Sequence, residues 1–125
     1  MKTSPKVLGI GGIFFKSDNP TALYAWYREV LGIASESWGM QFSLSQNKSK
    51  DASTTWSIFE KDTKYLEPST KDFMVNFVVS SVADFELLLK EKNIAVLGKE
   101  ESEFGKFIWI LDPDGNKIEL WEPAQ

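Results

Sequence analysis

Apolar and polar positions along the chain follow the same order twice, in two stretches of roughly sixty residues each. Each stretch opens with an apolar β-type run, at 7–16 in the first and at 73–79 in the second. A segment with apolar residues at steps of three and four follows, which is the period of a helix with one buried face. Further short β-type runs complete each stretch. The pattern therefore predicts two similar modules, each with the order β-α-β-β-β.

The first helix is predicted to begin within the segment 17–20, because Asn19 and Pro20 stand where a helix start favours them. Gly32 follows the last periodic residue and is a typical helix end. The predicted buried stripe of this helix comprises Leu23, Trp26, Tyr27, Val30 and Leu31.

The second helix has equally clear end signals. Ser81 with Asp84 three residues later resembles a capping box, and Asn93 tolerates the left-handed conformation at a helix end. Its predicted buried stripe comprises Val82, Phe85, Leu88 and Leu89.

Three short strands are predicted after each helix, near 33–36, 40–45 and 54–60 in the first module and near 94–99, 107–111 and 117–121 in the second. The polar segment 46–53 is predicted to form a hairpin tip, and Pro113 with Gly115 predicts a tight turn before the last strand. We expect one domain over 1–125, with module 1 at about 6–61, a linker at about 62–71 and module 2 at about 72–123.

The charge and composition of the chain limit the kinds of partner that we expect. The 18 acidic and 14 basic residues give a net charge of −4 without a basic cluster, which argues against nucleic-acid binding. The sequence has no apolar leader and no stretch long enough to span a bilayer, so we expect no membrane association and a cytoplasmic location. The absence of cysteine is compatible with a reducing compartment.

The chain contains no histidine and no cysteine. Zinc and non-haem iron sites use imidazole or thiolate ligands, so their absence argues against such a metal. Cys–His or Ser–His–Asp catalysis needs an imidazole base and is excluded. An oxygen-only magnesium or manganese site stays open. Its only clear candidate ligand is Glu119, with Glu60 and Gln41 as further oxygen donors that are more typical of exposed surface.

Two motifs carry a family resemblance. The helix end Trp26-Tyr-Arg-Glu-Val-Leu-Gly32 and the hairpin Asp112-Pro-Asp-Gly-Asn-Lys-Ile-Glu-Leu120, together with the repeat of two modules, resemble the vicinal oxygen chelate superfamily. That superfamily includes glyoxalases, bleomycin-resistance proteins and extradiol dioxygenases. The resemblance implies an α+β fold of tandem βαβββ modules, whose mixed sheet forms a cup.

The resemblance also implies a metal site that this chain lacks in part. In the superfamily, two histidines and one or two glutamates hold a divalent metal in the cup. The two histidine positions fall on Gly12 and Met74 in this sequence, and only Glu119 keeps a ligand of the usual type. We therefore expect no cofactor, or at most a weakly bound divalent ion, and a space at Gly12 where a histidine ring would stand.

Strand alternation predicts which residues share the cup with Glu119. Lys117 and Trp121 point the same way as Glu119 along the last strand, whereas Ile118 and Leu120 point toward a helix. The predicted ligand-binding set is Gly12, Phe14, Trp56, Met74, Asn76, Trp109, Glu119 and Trp121. Such a pocket, apolar with one carboxylate, would suit a planar or cationic small molecule.

Three functions stay open from the sequence. The first is metal-independent binding of a small organic molecule, as in bleomycin-resistance proteins. The second is a glyoxalase-like lyase or isomerase with Glu119 as catalytic base or as ligand of a weakly held ion. The third is a pairing module with a vestigial cup, and the resemblance implies a homodimer for all three.

Overall fold

A single mixed sheet of seven strands, with two helices, makes up the fold. The structure is a computed structural model and describes residues 4–43 and 53–124. The elements are β1 (Val7–Ser17), α1 (Pro20–Leu31), β2 (Met40–Phe42), β3 (Thr54–Glu60), β4 (Phe73–Val79), α2 (Val82–Glu91), β5 (Gly98–Ser102), β6 (Gly105–Leu111) and β7 (Lys117–Pro123). The α+β fold class predicted from the repeat is confirmed.

The sheet order is β2-β3-β1-β4-β7-β6-β5. The two modules meet where β1 pairs with β4 in antiparallel fashion. In each module the first strand pairs in parallel with the last one, β1 with β3 and β4 with β7. These matching connections show the internal repeat, and they place both modules in one continuous sheet.

Helix α2 packs as the periodicity predicts. Ser81 caps its start by accepting a hydrogen bond from the Asp84 N–H at 3.0 Å, and Asn93 ends it with φ of 60°. Val82 and Leu89 are buried, and they share a core cluster with residues of β4, β6 and β7. That cluster comprises Val79, Val82, Leu89, Ile108 and Leu120.

Helix α1 has the predicted ends but not the predicted buried stripe. Asn19 accepts a hydrogen bond from the Ala22 N–H at 3.1 Å, and Gly32 adopts φ of 72°. The side chain that α1 buries is Tyr24, whose hydroxyl accepts a hydrogen bond from the Ile58 N–H at 2.7 Å. The helix is turned about its axis to make this contact. As a result Trp26, Val30 and Leu31 stay 50%, 57% and 59% exposed, so the stripe prediction is wrong for them.

Two strand predictions also need correction. Residues 33–36 form no strand, because Glu36 exchanges both its backbone hydrogen bonds with Gly39 and closes a small turn. The strand expected at 94–99 begins only at Gly98, since the Ile94 N–H still bonds to Leu89 O at the end of α2. The predicted hairpin tip at 46–53 and the end of the 40–45 strand lie outside the described residues, except for Ser53.

The turn before β7 forms as expected, with Gly115 at φ of 84°. Asp112 organises this turn, because its carboxylate accepts hydrogen bonds from the backbone N–H groups of Asp114 and Asn116, both at 2.9 Å. Neither of the two helices that the structure describes combines the length and the apolar character needed to cross a membrane.

Candidate ligand-binding site

One row of paired residues crosses the sheet on the face opposite the helices, which we call the cup face. The strand register joins Glu119 to Asn76 on one side and to Trp109 on the other. The full row runs through Gln41, Thr55, Gly12, Asn76, Glu119, Trp109 and Gly98. Because paired residues of neighbouring strands point to the same face, the register brings these side chains together without any loop.

Glu119 is the centre of this row and is only 3% exposed. Its Oε1 accepts a hydrogen bond from Asn76 Nδ2 at 2.6 Å, and its Oε2 accepts one from Trp109 Nε1 at 2.7 Å. The Tyr65 hydroxyl donates a third hydrogen bond to Oε2. A buried carboxylate is tolerated only when it is paired or hydrogen-bonded, and these three donors account for its burial. We call these four residues the Glu119 network.

Tyr65 is the member of the network that the sequence did not indicate. It lies in the predicted linker, which crosses the cup face instead of running free over the surface. Leu66, its neighbour, is fully buried against Phe14 and Met74. The only signal in the sequence is the adjacent pair Tyr65-Leu66 inside an otherwise polar segment. A pair without periodicity has no defined face, so its contact with Glu119 could not be derived.

Lys117 of β7 contacts the linker at Tyr65. Its ammonium donates a hydrogen bond to Tyr65 O and lies 5.1 Å from the centre of the Tyr65 ring and 5.6 Å from that of Trp109. Burial lowers the pKa of Lys117, an effect that the negative charge of Glu119 opposes. Burial and the Glu119 charge both raise the pKa of Tyr65, which keeps the phenol protonated and able to donate.

The predicted residues Phe14 and Met74 both lie on the cup face, and Met74 does not line an open pocket. Met74 is fully buried with Phe14 and Leu66, and the Phe14 ring stacks on Phe59 at 5.3 Å between ring centroids. A Cβ atom placed on Gly12 would lie 2.7 Å from Phe14 Cζ. The prediction of an open space at Gly12 is therefore wrong, because the Phe14 ring fills it.

Trp56 does not belong to the cup face, so its predicted place there is wrong. It pairs with Ile13 on β1, in the row that faces the helices. Its ring contacts two α1 side chains, Tyr24 at 5.5 Å and Tyr27 at 4.8 Å between centroids. The indole therefore supports α1 and has no access to Glu119.

A cavity of about 400 Å³ opens beside the Glu119 network. Its walls are mainly aromatic, and it is lined by Gly11, Phe14, Trp38, Gln41, Thr55, Asn76, Phe104, Phe107, Glu119 and Trp121. Trp121, Asn76, Phe14 and Glu119 of the predicted set line this cup cavity, whereas Trp109 reaches it only through Glu119. Binding of a ligand by these residues stays a prediction.

Gly11 shapes the floor of the cup cavity. It lies at an irregularity in the pairing of β1 with β4, and a Cβ atom on it would lie 2.2 Å from Asn76 Oδ1 and 2.9 Å from Val78 Cγ2. Only glycine allows the backbone to approach Asn76 this closely. Asn76 Oδ1 is buried and has no hydrogen-bond partner among the described residues.

The residues at the expected metal positions do not fit a metal ion. Gly12 has no ligand atom in its side chain, Met74 is packed among apolar groups, and the Glu119 oxygens already accept three hydrogen bonds. Within the described parts of the chain, no three His, Cys, Asp or Glu side chains are grouped to hold an ion.

Comparison with solved structures identifies the fold, whereas comparison of the sequence with known proteins finds no match. No protein-family model matches the sequence, and a search of curated proteins finds no match. The fold is that of the vicinal oxygen chelate superfamily, so the predicted resemblance is confirmed at the level of the fold. Solved structures of enzymes from this superfamily superpose on nearly the whole chain.

Three of these structures illustrate the likeness. A variant of Streptomyces coelicolor methylmalonyl-CoA epimerase, in complex with 2-nitronate-propionyl-CoA, is 16% identical with a TM-score of 0.66, and the match covers 96% of this chain and 100% of that one. The Mycobacterium tuberculosis methylmalonyl-CoA epimerase is 14% identical with a TM-score of 0.66, covering 100% and 94%. The 2,3-dioxygenase LapB of a Pseudomonas species is 19% identical with a TM-score of 0.62, covering 98% of this chain and 43% of that one.

Proposed function

We propose that this protein binds a small, uncharged and largely aromatic organic molecule in the cup cavity, without a metal ion. The observation that carries the proposal is the Glu119 network. The one charged group on the floor of the cavity has its oxygens occupied by Asn76, Trp109 and Tyr65. It therefore serves as an anchor for surrounding side chains, and the rest of the cavity wall recognises the ligand.

The character of the wall supports an uncharged ligand. Five aromatic side chains line the cup cavity, Phe14, Trp38, Phe104, Phe107 and Trp121, together with the neutral Gln41 and Thr55. The Phe107 and Trp121 rings are nearly parallel, at 6.1 Å between centroids with an interplanar angle of 4°. Rings held in this way offer a flat apolar surface to a planar molecule. This composition and a volume of about 400 Å³ are typical of a small-molecule site.

The charges around the cup cavity also argue against the cationic ligand that was expected from the sequence. A cation in the cup cavity would have to compete for Glu119 with three hydrogen-bond donors that belong to the protein. The Lys117 ammonium lies over the Tyr65 and Trp109 rings, so the cation–π surface of the network is already in use. A neutral ligand avoids both conflicts.

Metal independence is part of the same proposal. A hard ion would need oxygen ligands besides Glu119, and the residues at the expected ligand positions, Gly12 and Met74, supply none. The neighbouring structures support a small organic ligand in a looser sense, since one of them is a complex with 2-nitronate-propionyl-CoA. That support is an analogy of fold, and folds of this kind carry several activities.

The alternative of a lyase or isomerase with Glu119 as base has less support. A catalytic base needs a lone pair directed at the substrate, and a carboxylate offers about four such positions, three of which are taken here. Substrate would have to displace a donor before a proton could be taken. Binding alone requires no such rearrangement.

The test is isothermal titration with three ligands that share a naphthalene ring and differ in charge: naphthylmethanol, naphthoate and naphthylmethylammonium. We expect the uncharged compound to bind most tightly. Tighter binding of either charged compound, or no binding by any of them, would contradict the proposal.

Two phenylalanine variants show where binding occurs. Phe104 lines the cup cavity and is 61% exposed, whereas Phe73 is 44% exposed and does not line it. Phe104→Ala should weaken the binding of naphthylmethanol about tenfold through lost apolar contact. Phe73→Ala, a matched change of an exposed ring, should leave the affinity unchanged. Equal effects of the two variants would place the ligand elsewhere.

A further inference from the structure

A second and larger cavity lies at the side of the first module, and of the Glu119 network only Tyr65 lines it. It measures about 880 Å³ and is bounded by α1, by the turn at 35–38, by the end of β3 and by the start of the linker. We call it the lateral groove. Its wall includes Ile58 from the helix face of β3 and Phe59 from the cup face, so the groove wraps around the edge of the strand.

The groove exists because β3 lacks a neighbour there. In the second module β6 pairs with β7 along all seven residues from 117 to 123. Among the described residues of the first module, β2 pairs with β3 only at Thr54, Thr55 and Trp56. The remaining edge is closed at one point by Tyr24, whose hydroxyl accepts from the Ile58 N–H at 2.7 Å and lies 3.4 Å from Ile58 O. The absent strand at 33–36 leaves the space open.

Charge distinguishes the lateral groove from the cup cavity, although both have aromatic side chains in their walls. Three carboxylates, Glu36, Glu60 and Asp62, line it against a single guanidinium, that of Arg28. None of these four groups forms an ion pair with another residue in the described parts of the chain. The aromatic residues of its wall are Tyr24, Trp38, Phe59 and Tyr65.

We propose that the lateral groove is a second ligand site and that it takes an organic cation with an aromatic or apolar body. Unpaired carboxylates beside aromatic rings attract an ammonium group through charge and through the faces of the rings. Ser35 adds a polar contact, since its hydroxyl is buried in the wall and has no hydrogen-bond partner among the described residues. The proposal does not depend on the function proposed for the cup cavity.

Titration with benzyltrimethylammonium tests this site, with benzyl alcohol as the control that keeps the ring and lacks the charge. We expect the cation to bind more tightly than the alcohol. The combined variant Glu60→Gln and Asp62→Asn should weaken the binding of the cation about fivefold, because exposed charge pairs contribute modestly. Both residues are exposed, so these changes should leave the fold intact.

Two controls separate the lateral groove from the cup cavity. Phe104→Ala should leave the affinity for benzyltrimethylammonium unchanged, and the double variant should leave the affinity for naphthylmethanol unchanged. Added salt should weaken the binding of the cation, since screening shortens the reach of charge to about 8 Å at physiological ionic strength. Equal affinities for the cation and the alcohol, or a double variant that binds the cation as well as the wild type, would overturn the proposal.

Discussion

The two modules share one chain order but differ in how completely they are built. In the second module α2 buries Val82 and Leu89 in a core with three strands, and β7 is paired along its whole length. In the first module α1 buries only Tyr24, and β3 loses its partner after Trp56. The comparison indicates that the helix of the second module is packed more tightly against the sheet, and that the first module leaves part of a strand edge open.

The strand register extends this comparison to single positions. Asn76 on β4 pairs with Glu119, and the corresponding pair in the first module is Phe14 with Ser57. Ser57 donates its hydrogen bond to the backbone carbonyl of Trp38, a residue that lines both cavities. The position that holds a buried carboxylate in the second module therefore holds a small hydroxyl in the first. Within the described residues, the first module has no counterpart of the Glu119 network.

The sharpest test of the unequal modules uses matched changes on the two helices. Leu89 of α2 is 5% exposed and Leu31 of α1 is 59% exposed. Leu89→Ala should lower the free energy of unfolding by about 2–5 kcal/mol, because it opens a space in the core. Leu31→Ala should change it by less than about 0.5 kcal/mol. Denaturant unfolding of both variants measures the difference, and similar losses would show that α1 packs as firmly as α2.

A smaller effect is expected where the linker joins the second module. Tyr65→Phe removes one of the three donors to Glu119 and keeps the ring in its contacts with Phe59 and Trp109. The free energy of unfolding should fall by about 1.5–3 kcal/mol, the range for a hydrogen bond to a charged group. Tyr27→Phe is the matched control, since that hydroxyl has no partner among the described residues and its loss should have almost no effect. An equal loss of unfolding free energy in both variants would contradict the hydrogen bond from Tyr65 to Glu119.

The smallest expected effect is the dependence of stability on alkaline pH, which reports on the same contact between Tyr65 and Glu119. The pKa of Tyr65 is raised in the folded protein, whereas an unfolded tyrosine loses its proton near pH 10. Above about pH 10 the unfolded state therefore binds fewer protons, and the contribution of Tyr65 to stability is lost as the pH rises. The difference in melting temperature between wild type and Tyr65→Phe should shrink from about pH 8 to above pH 10. A difference that stays constant would contradict the shifted pKa.

Local signals in the sequence were sufficient for the ends of the elements. Asn19, Gly32, Ser81 and Asn93 act through hydrogen bonds and backbone angles within a few residues, so their roles could be read directly. The alternation along β7 also predicted that Glu119 and Trp121 share a face. These features depend on neighbours in the chain and need no knowledge of the fold.

Features that depend on distant contacts were missed. The face of Trp56 requires the register of β3 against β1, and with a period of two a wrong register reverses every side chain. The rotation of α1 depends on Tyr24 reaching Ile58 across the sheet edge. Tyr65 lies in a segment without periodicity, so its approach to Glu119 appears only in three dimensions.

The most direct test of the metal-free cup is a thermal-shift titration with magnesium, manganese, nickel and zinc, on wild type and on Glu119→Gln. A specific ion at about a hundred times its dissociation constant would stabilise the fold by about 2.7 kcal/mol, a shift of several degrees. We predict no such shift with any ion in either protein. A shift in wild type that is absent from Glu119→Gln would place an ion at the carboxylate and contradict the account.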